Sequence, residues 1–147
     1  FARTAGTPVR LLVTTSRRTN PELEEQVRER LAGKPYTAAC IFANIKNYPW
    51  VVGGILHLAD AIVVTSDSIS MMAEAAAVKN TLVLDLLPAS PQRPFAQYLQ
   101  QQGYALLARS KDTISPLLST LKDGTIRLRR IENHQTIIEH LKTKVNI

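Results

Sequence analysis

The chain carries one cysteine in 147 residues, so no disulfide can close within it and its fold has to come from a buried core. A chain of this length can bury such a core as a single domain. Cys40 lies in the apolar run TAACIFAN, where a thiol reads as a small buried hydrophobe rather than a nucleophile, and its solitude suits a reducing compartment. Long hydrophobic runs are missing too. The longest candidate, WVVGGILHLADAIVV, falls short of the ~20 apolar residues of a membrane span and is interrupted by Gly53, Gly54, His57 and Asp60. A soluble, cytoplasmic protein without a transmembrane segment is expected. Without a GxGxxG there is no nicotinamide or flavin fingerprint, and without a GxxxxGK[ST] there is no P-loop. No CxxC or HExxH occurs, and His134 and His140 stand six apart where helical metal ligands want three or four. Neither a cofactor nor a metal is expected. The chain begins at Phe1 with neither methionine nor a signal-like apolar segment, and it is expected to be a piece of something longer.

What is present is an excess of positive charge: 18 Lys and Arg against 12 Asp and Glu, a net +6 that favours phosphate-bearing partners. The densest basic cluster, Arg127, Arg129 and Arg130, lacks interleaved aromatics, so no nucleic-acid partner is expected and most of the excess reads as solvated surface.

Apolar strands alternate with helical patterns along the chain. Strands are expected at Val9 to Thr15, Thr37 to Ala43, Ala61 to Thr65, Thr81 to Leu86 and Tyr104 to Ala108. Helices are expected at Pro21 to Leu31, Pro49 to Leu58, Ile69 to Lys79, Phe95 to Gln102, Thr113 to Leu121 with an early interruption at Pro116, and Ile131 to Lys144. The first helix has two alternative start signals, a Thr19/Glu22 capping box or an Asn20 cap with Pro21 in first position. This alternation specifies an α/β fold, a Rossmann-like three-layer sandwich with a mostly parallel sheet, as one domain over 1–147. Ligands of such sheets bind at the carboxyl ends of the strands.

Those ends hold two hydroxyl-rich turns. In VVTSDSISMMAEAAA, a strand runs into Ser66, Asp67, Ser68 and Ser70 and then into a small-residue helix bearing Glu74. Small residues permit close backbone approach, and the free N–H groups at a helix start attract anions. If the turn winds directly into helix, Asp67, Ser70 and Glu74 share one face, with Glu74 placed for a ribose beyond a diphosphate. On the plainer reading the serines only cap the helix and Glu74 is a surface charge. In TTSRRT, Ser16 precedes Arg17 and Arg18, two fixed cations at a second strand end suited to a diphosphate or acidic sugar; alternatively they pair with a helix carboxylate such as Glu22. Asp85 ends the fourth strand, facing the crevice or satisfied by backbone N–H groups, and His57 reads as a capping or surface residue rather than a base.

With LLVTTSRRT and ADAIVVTSDSISMMAEA standing in this order, residues 9–105 resemble the C-terminal half of the mitochondrial-fission ELM family. That family is similar in architecture to GT-B glycosyltransferases, and some bacterial members are loosely labelled nucleoside-diphosphate-sugar epimerases. The resemblance implies a C-terminal GT-B-like domain that binds the nucleotide of a sugar donor. It implies Glu74 on the ribose, Ser66 to Ser70 and Ser16, Arg17 and Arg18 on the diphosphate, and a missing N-terminal domain that carries the acceptor pocket and catalytic base, leaving this half without turnover. Two features depart from the pattern: TTSRR replaces a glycine pair, and Asn47-Tyr48-Pro49-Trp50 replaces an Asn-Pro-Tyr order. The alternative the resemblance offers is a non-catalytic interaction protein related to a fission factor.

Overall fold

A computed structural model describes residues 9–87, 89–122 and 125–131. Five parallel strands alternate with five helices: β1 Leu11–Thr14, α1 Pro21–Leu31, β2 Thr37–Ile41, α2 Val51–Leu58, β3 Ala61–Thr65, α3 Ile69–Val78, β4 Asn80–Leu84, α4 Arg93–Gln101, β5 Leu106–Ala108 and α5 Lys111–Lys122. The α/β, Rossmann-like class expected from the alternation is what forms. The ladders divide into two parallel sheets, β1-β2 and β3-β4-β5, one in each of two units, Phe1–Ala59 and Asp60–Ile147. The terminal helix expected over 131–144 lies outside the described residues, except for Ile131.

In unit 1 the β1-β2 register is Thr14 against Ile41, with an irregularity after Leu11. Asn20 caps α1, accepting from Glu22 N at 2.8 Å and Leu23 N at 3.4 Å, and Pro21 occupies the first turn. Of the two start signals, the Asn20 cap is used: Thr19 instead accepts from Ser16 N at 3.0 Å. Acids in the first turn and Arg28 and Arg30 in the last complement the helix dipole. Gly33 follows at φ 70, a left-handed conformation that glycine adopts without cost.

Unit 2 has three layers. Central β4 is buried on both sides, Thr81, Leu82 and Val83 having no exposure. Period-two alternation assigns the faces: Val83 and Leu107 pack with Met72, Ala73 and Ala76 of α3 and Phe95, Ala96 and Leu99 of α4. Leu82, Leu84, Leu106 and Ala108 meet Ile114, Leu117, Leu118 and Leu121 of α5 on the other. That packing keeps α5 continuous through Pro116, which removes one i→i−4 bond near its start without ending the helix.

Residues 125–131 then cross the amino edge of this sheet. Leu128 packs into the α5-side core and Ile131 into the opposite one, while Arg129 N donates to Gly103 O at 2.9 Å and its guanidinium lies 5.2 Å from the Tyr104 ring. Arg130 donates to Asn80 Oδ1 at 3.1 Å. Two arginines of the basic cluster therefore hold this crossing in place. Leu99→Ala should destabilise the chain by about 2–5 kcal/mol in chemical denaturation, because Leu99 is fully buried where α4 meets the sheet.

Candidate functional site

The carboxyl ends of the strands in unit 2 form one row. Backbone pairing continues one step past the strands, Ser66 N donating to Leu84 O at 3.0 Å and Asp85 N to Ala108 O at 2.9 Å, so Ser66, Asp85 and Arg109 stand side by side. Asp85 is fully buried at side-chain level, and its partners are side chains rather than loop amides. Ser66 Oγ donates to its Oδ1 at 3.1 Å, Arg93 Nε to its Oδ2 at 2.6 Å, and Arg109 Nε approaches to 3.8 Å. Burial by itself pushes the Asp85 carboxyl upward. The hydrogen bonds from Arg93 and Ser66 and the charges of Arg93 and Arg109 outweigh it and hold the carboxyl below its ordinary value. Two guanidiniums around one carboxylate leave a surplus positive charge beside the 66–70 turn.

That turn separates its residues by role. Ser66 is buried and committed to Asp85. Asp67 precedes the helix, and its carboxylate accepts from Thr65 Oγ1, so it does not share the face of Ser70 and Glu74. Ser68 caps α3 by accepting from Met71 N at 3.5 Å, and its hydroxyl lies 3.3 Å from that of Ser70. Met72 N bonds the Ser68 carbonyl at 3.1 Å. The amide of Ser68 closes the turn at 66–67, and no described residue accepts from the amides of Asp67, Ile69 and Ser70 at the start of α3. Ser70 and Glu74, four apart on α3, are exposed.

The turn in unit 1 is built differently. Ser16 Oγ accepts from Arg18 N at 3.1 Å and Thr19 N bonds Ser16 O at 2.9 Å. The first amides of α1 are all taken: Asn20 covers those of Glu22 and Leu23, Glu24 N bonds Asn20 O at 2.9 Å, and Pro21 has none. Its cationic character rests on Arg17 and Arg18, which are exposed and make no side-chain hydrogen bond or ion pair with a described residue. Glu22 is exposed as well and does not bind them.

Sequence reasoning missed a second buried carboxylate beneath this turn. Glu24, 4% exposed, accepts from Thr15 Oγ1, from Asn44 N at 3.2 Å and from Asn44 Nδ2 at 3.1 Å. Ala43 N donates to Thr15 Oγ1 at 2.9 Å and Asn44 Nδ2 also reaches Thr19 O at 2.9 Å. The loops after β1 and β2 are thereby stitched together. Nothing in the spacing of Glu22, Glu24 and Glu25 distinguishes the one that turns inward. Cys40 is half-buried, with its thiol pushed up by burial, which fits a packing role. His57 is exposed near the end of α2. Among the described residues no group of His, Cys, Asp and Glu is placed to hold a metal ion.

Asp85→Asn should cost roughly 1–3 kcal/mol of stability, because it removes the charge that Arg93 and Arg109 surround while keeping the shape. A depressed folded pKa contributes stability that is complete above the ordinary carboxylate value of 3.8 and is lost as pH falls through the lower folded value. Acid titration of the parent should therefore show a loss in that window that Asp85→Asn lacks, read by urea midpoints at stepped pH.

No helix among the described residues is long and apolar enough to cross a membrane. No curated protein and no solved structure matches the chain. A family model described as Mitochondrial fission ELM1 matches residues 2–122, well over half of the sequence and including both hydroxyl-rich turns. By that match, the chain belongs to the mitochondrial fission ELM1 family.

Proposed function

We propose that this ELM1-family chain binds the nucleoside diphosphate of a nucleotide sugar, as the donor-binding part of a GT-B-like glycosyltransferase or sugar epimerase. The observation that carries this reading is the set of amides at the start of α3, those of Asp67, Ile69 and Ser70, from which no described residue accepts. Unpaired N–H groups at a helix start, with the positive end of its dipole behind them, suit a diphosphate without a metal. The hydroxyls of Ser68 and Ser70 border those amides, and the two guanidiniums at Asp85 add cationic charge. Ser66 supports the turn from below through Asp85, while Asp67 presents its amide. Glu74, exposed one turn along α3 from Ser70, is the ribose acceptor on this reading. Within unit 1 taken by itself, Ser16 shapes the turn that bears Arg17 and Arg18, two exposed cations suited to a phosphate. The acceptor and catalytic base then belong to a further domain of the whole protein, and this chain binds without turnover.

A second reading, a non-catalytic interaction protein, draws on the fact that Ser66 and Asp67 are occupied by the protein's own side chains. Ligand binding separates the two. A nucleoside diphosphate that binds only the folded chain should add roughly 2.7 kcal/mol at a hundred times its dissociation constant and raise the melting midpoint by a few degrees. Uridine, guanosine, cytidine and adenosine diphosphates at millimolar concentration form the test set, and no shift with any of them favours the interaction reading. Glu74→Gln should weaken the best ligand roughly tenfold, since hydrogen bonds to a charged acceptor are worth about 1.5–3 kcal/mol each, and should narrow the preference for ribose over 2′-deoxyribose.

Replacing Arg17 and Arg18 together by alanine should lower diphosphate affinity sharply and leave nucleoside affinity nearly unchanged in calorimetry, because only charge-assisted contacts are lost. The melting midpoint of the free chain should stay where it is, both side chains being exposed and unpaired among the described residues. Equal losses for nucleoside and nucleotide would assign the arginines to loop support instead.

A further inference from the structure

We infer that unit 1 carries a nucleobase-stacking platform at the carboxyl edge of its sheet, formed by Tyr48 and Trp50, and that its ligand is a nucleotide whose phosphate is met by Arg17, Arg18 and Lys46. The inference rests on the reading above that the chain binds a nucleotide, and it concerns the surface of unit 1 by itself.

The loop after β2 holds an aromatic pair whose ring centroids are 5.0 Å apart at an interplanar angle of 33°. Lys46 Nζ stands 4.9 Å from the Tyr48 ring, so Tyr48 is engaged by both a cation and the indole. Tyr48 is half-buried; Trp50 is 62% exposed, and the indole is the aromatic surface left open to solvent. It is held on a stiff support. Pro49 fixes the backbone between the rings, Val51 N bonds Tyr48 O at 3.2 Å, and Gly54 N bonds Trp50 O at 2.8 Å at the start of α2. An open aromatic face on a rigid backbone stacks any nucleobase, because every base has a π-face.

The cations reach the same edge through the stitching described above. Asn44 bonds the turn that bears Arg17 and Arg18 at Thr19 O and Glu24, and Lys46 follows Asn44 by two residues. The side chains of Arg17 and Arg18 are exposed with no described partner, which leaves their charge for a ligand. A base on the indole with phosphate toward the guanidiniums uses both properties of the surface. Ile45, 68% exposed, would equally suit an anionic bilayer. The exposed carboxylate of Glu22 in the first turn of α1 and the exposed amide of Asn47 oppose entry into lipid, and neither opposes a stacked base.

Trp50 is the single tryptophan of the chain, so its emission reports on the platform directly. Titration with the four nucleoside diphosphates should give saturable quenching by at least one of them, and inorganic pyrophosphate should give none. Trp50→Leu should bind that nucleotide roughly tenfold more weakly in calorimetry and bind pyrophosphate as before, while Trp50→Phe should keep most of the affinity. The indole is exposed and makes no capping hydrogen bond, so the leucine variant should fold, as circular dichroism would verify. A nucleotide that raises the melting midpoint yet neither quenches Trp50 nor loses affinity in Trp50→Leu overturns the platform and leaves the nucleotide reading standing. Absence of any nucleotide binding overturns both. A blue shift of Trp50 on phosphatidylcholine–phosphatidylserine vesicles, without quenching by nucleotides, overturns the platform in favour of a lipid surface.

Discussion

A carboxylate shut away from water at the end of a central parallel strand has to be met by cations and hydrogen-bond donors, and in unit 2 that demand governs the carboxyl edge. Asp85 draws Ser66 from the neighbouring strand end, Arg93 from the start of α4 and Arg109 from the end of β5. Each tie fixes a different loop. The turn that leads into α3 is consequently set from beneath by a side chain that never reaches the surface.

Unit 1 uses the same device from a different position. Glu24 sits on a helix rather than at a strand end, yet its carboxylate joins Thr15 after β1 to Asn44 after β2. In both units a buried acid organises loops that carry arginines. In unit 1 the exposed Arg17 and Arg18 keep their charge because Glu24 beneath them is spent on the loops.

Much of the fold was legible because it is written in local chemistry. The α1 start at Pro21, the β3 limits at Ala61 and Thr65 and the α3 start at Ile69 followed from capping signals and periodicity, and helix and strand order followed from alternation. The choice of Asn20 over Thr19 as a cap and of Ser68 among the serines did not. The division of the strands into two ladders was not legible, because strand pairing over long separations leaves no local mark. The helix over 111–122 begins earlier and runs on through Pro116 because packing of Ile114, Leu117 and Leu121 overrides a single missing amide. At the turns, the small hydroxyl residues marked the right loops, but not which hydroxyl faces in. Ser66 and Ser68 differ only in position, and Asp85 decides between them. Glu24 and the Arg93 and Arg109 contacts depend on residues 8 to 24 positions away from their partners, a distance at which no spacing rule speaks.

The crossing at residues 125–131 gives unit 2 a topological closure that its sheet lacks. Leu128 belongs to the core on one face and Ile131 to the core on the other, with Arg129 pinned to Gly103 between them. One short peptide therefore laps the edge of the sheet as a hem joins two sides of cloth, and the layers on its two faces are tied by covalent chain as well as by packing. Opening either layer at that edge means unpicking the other, so loosening of the amino edge should spread across the unit as a single event.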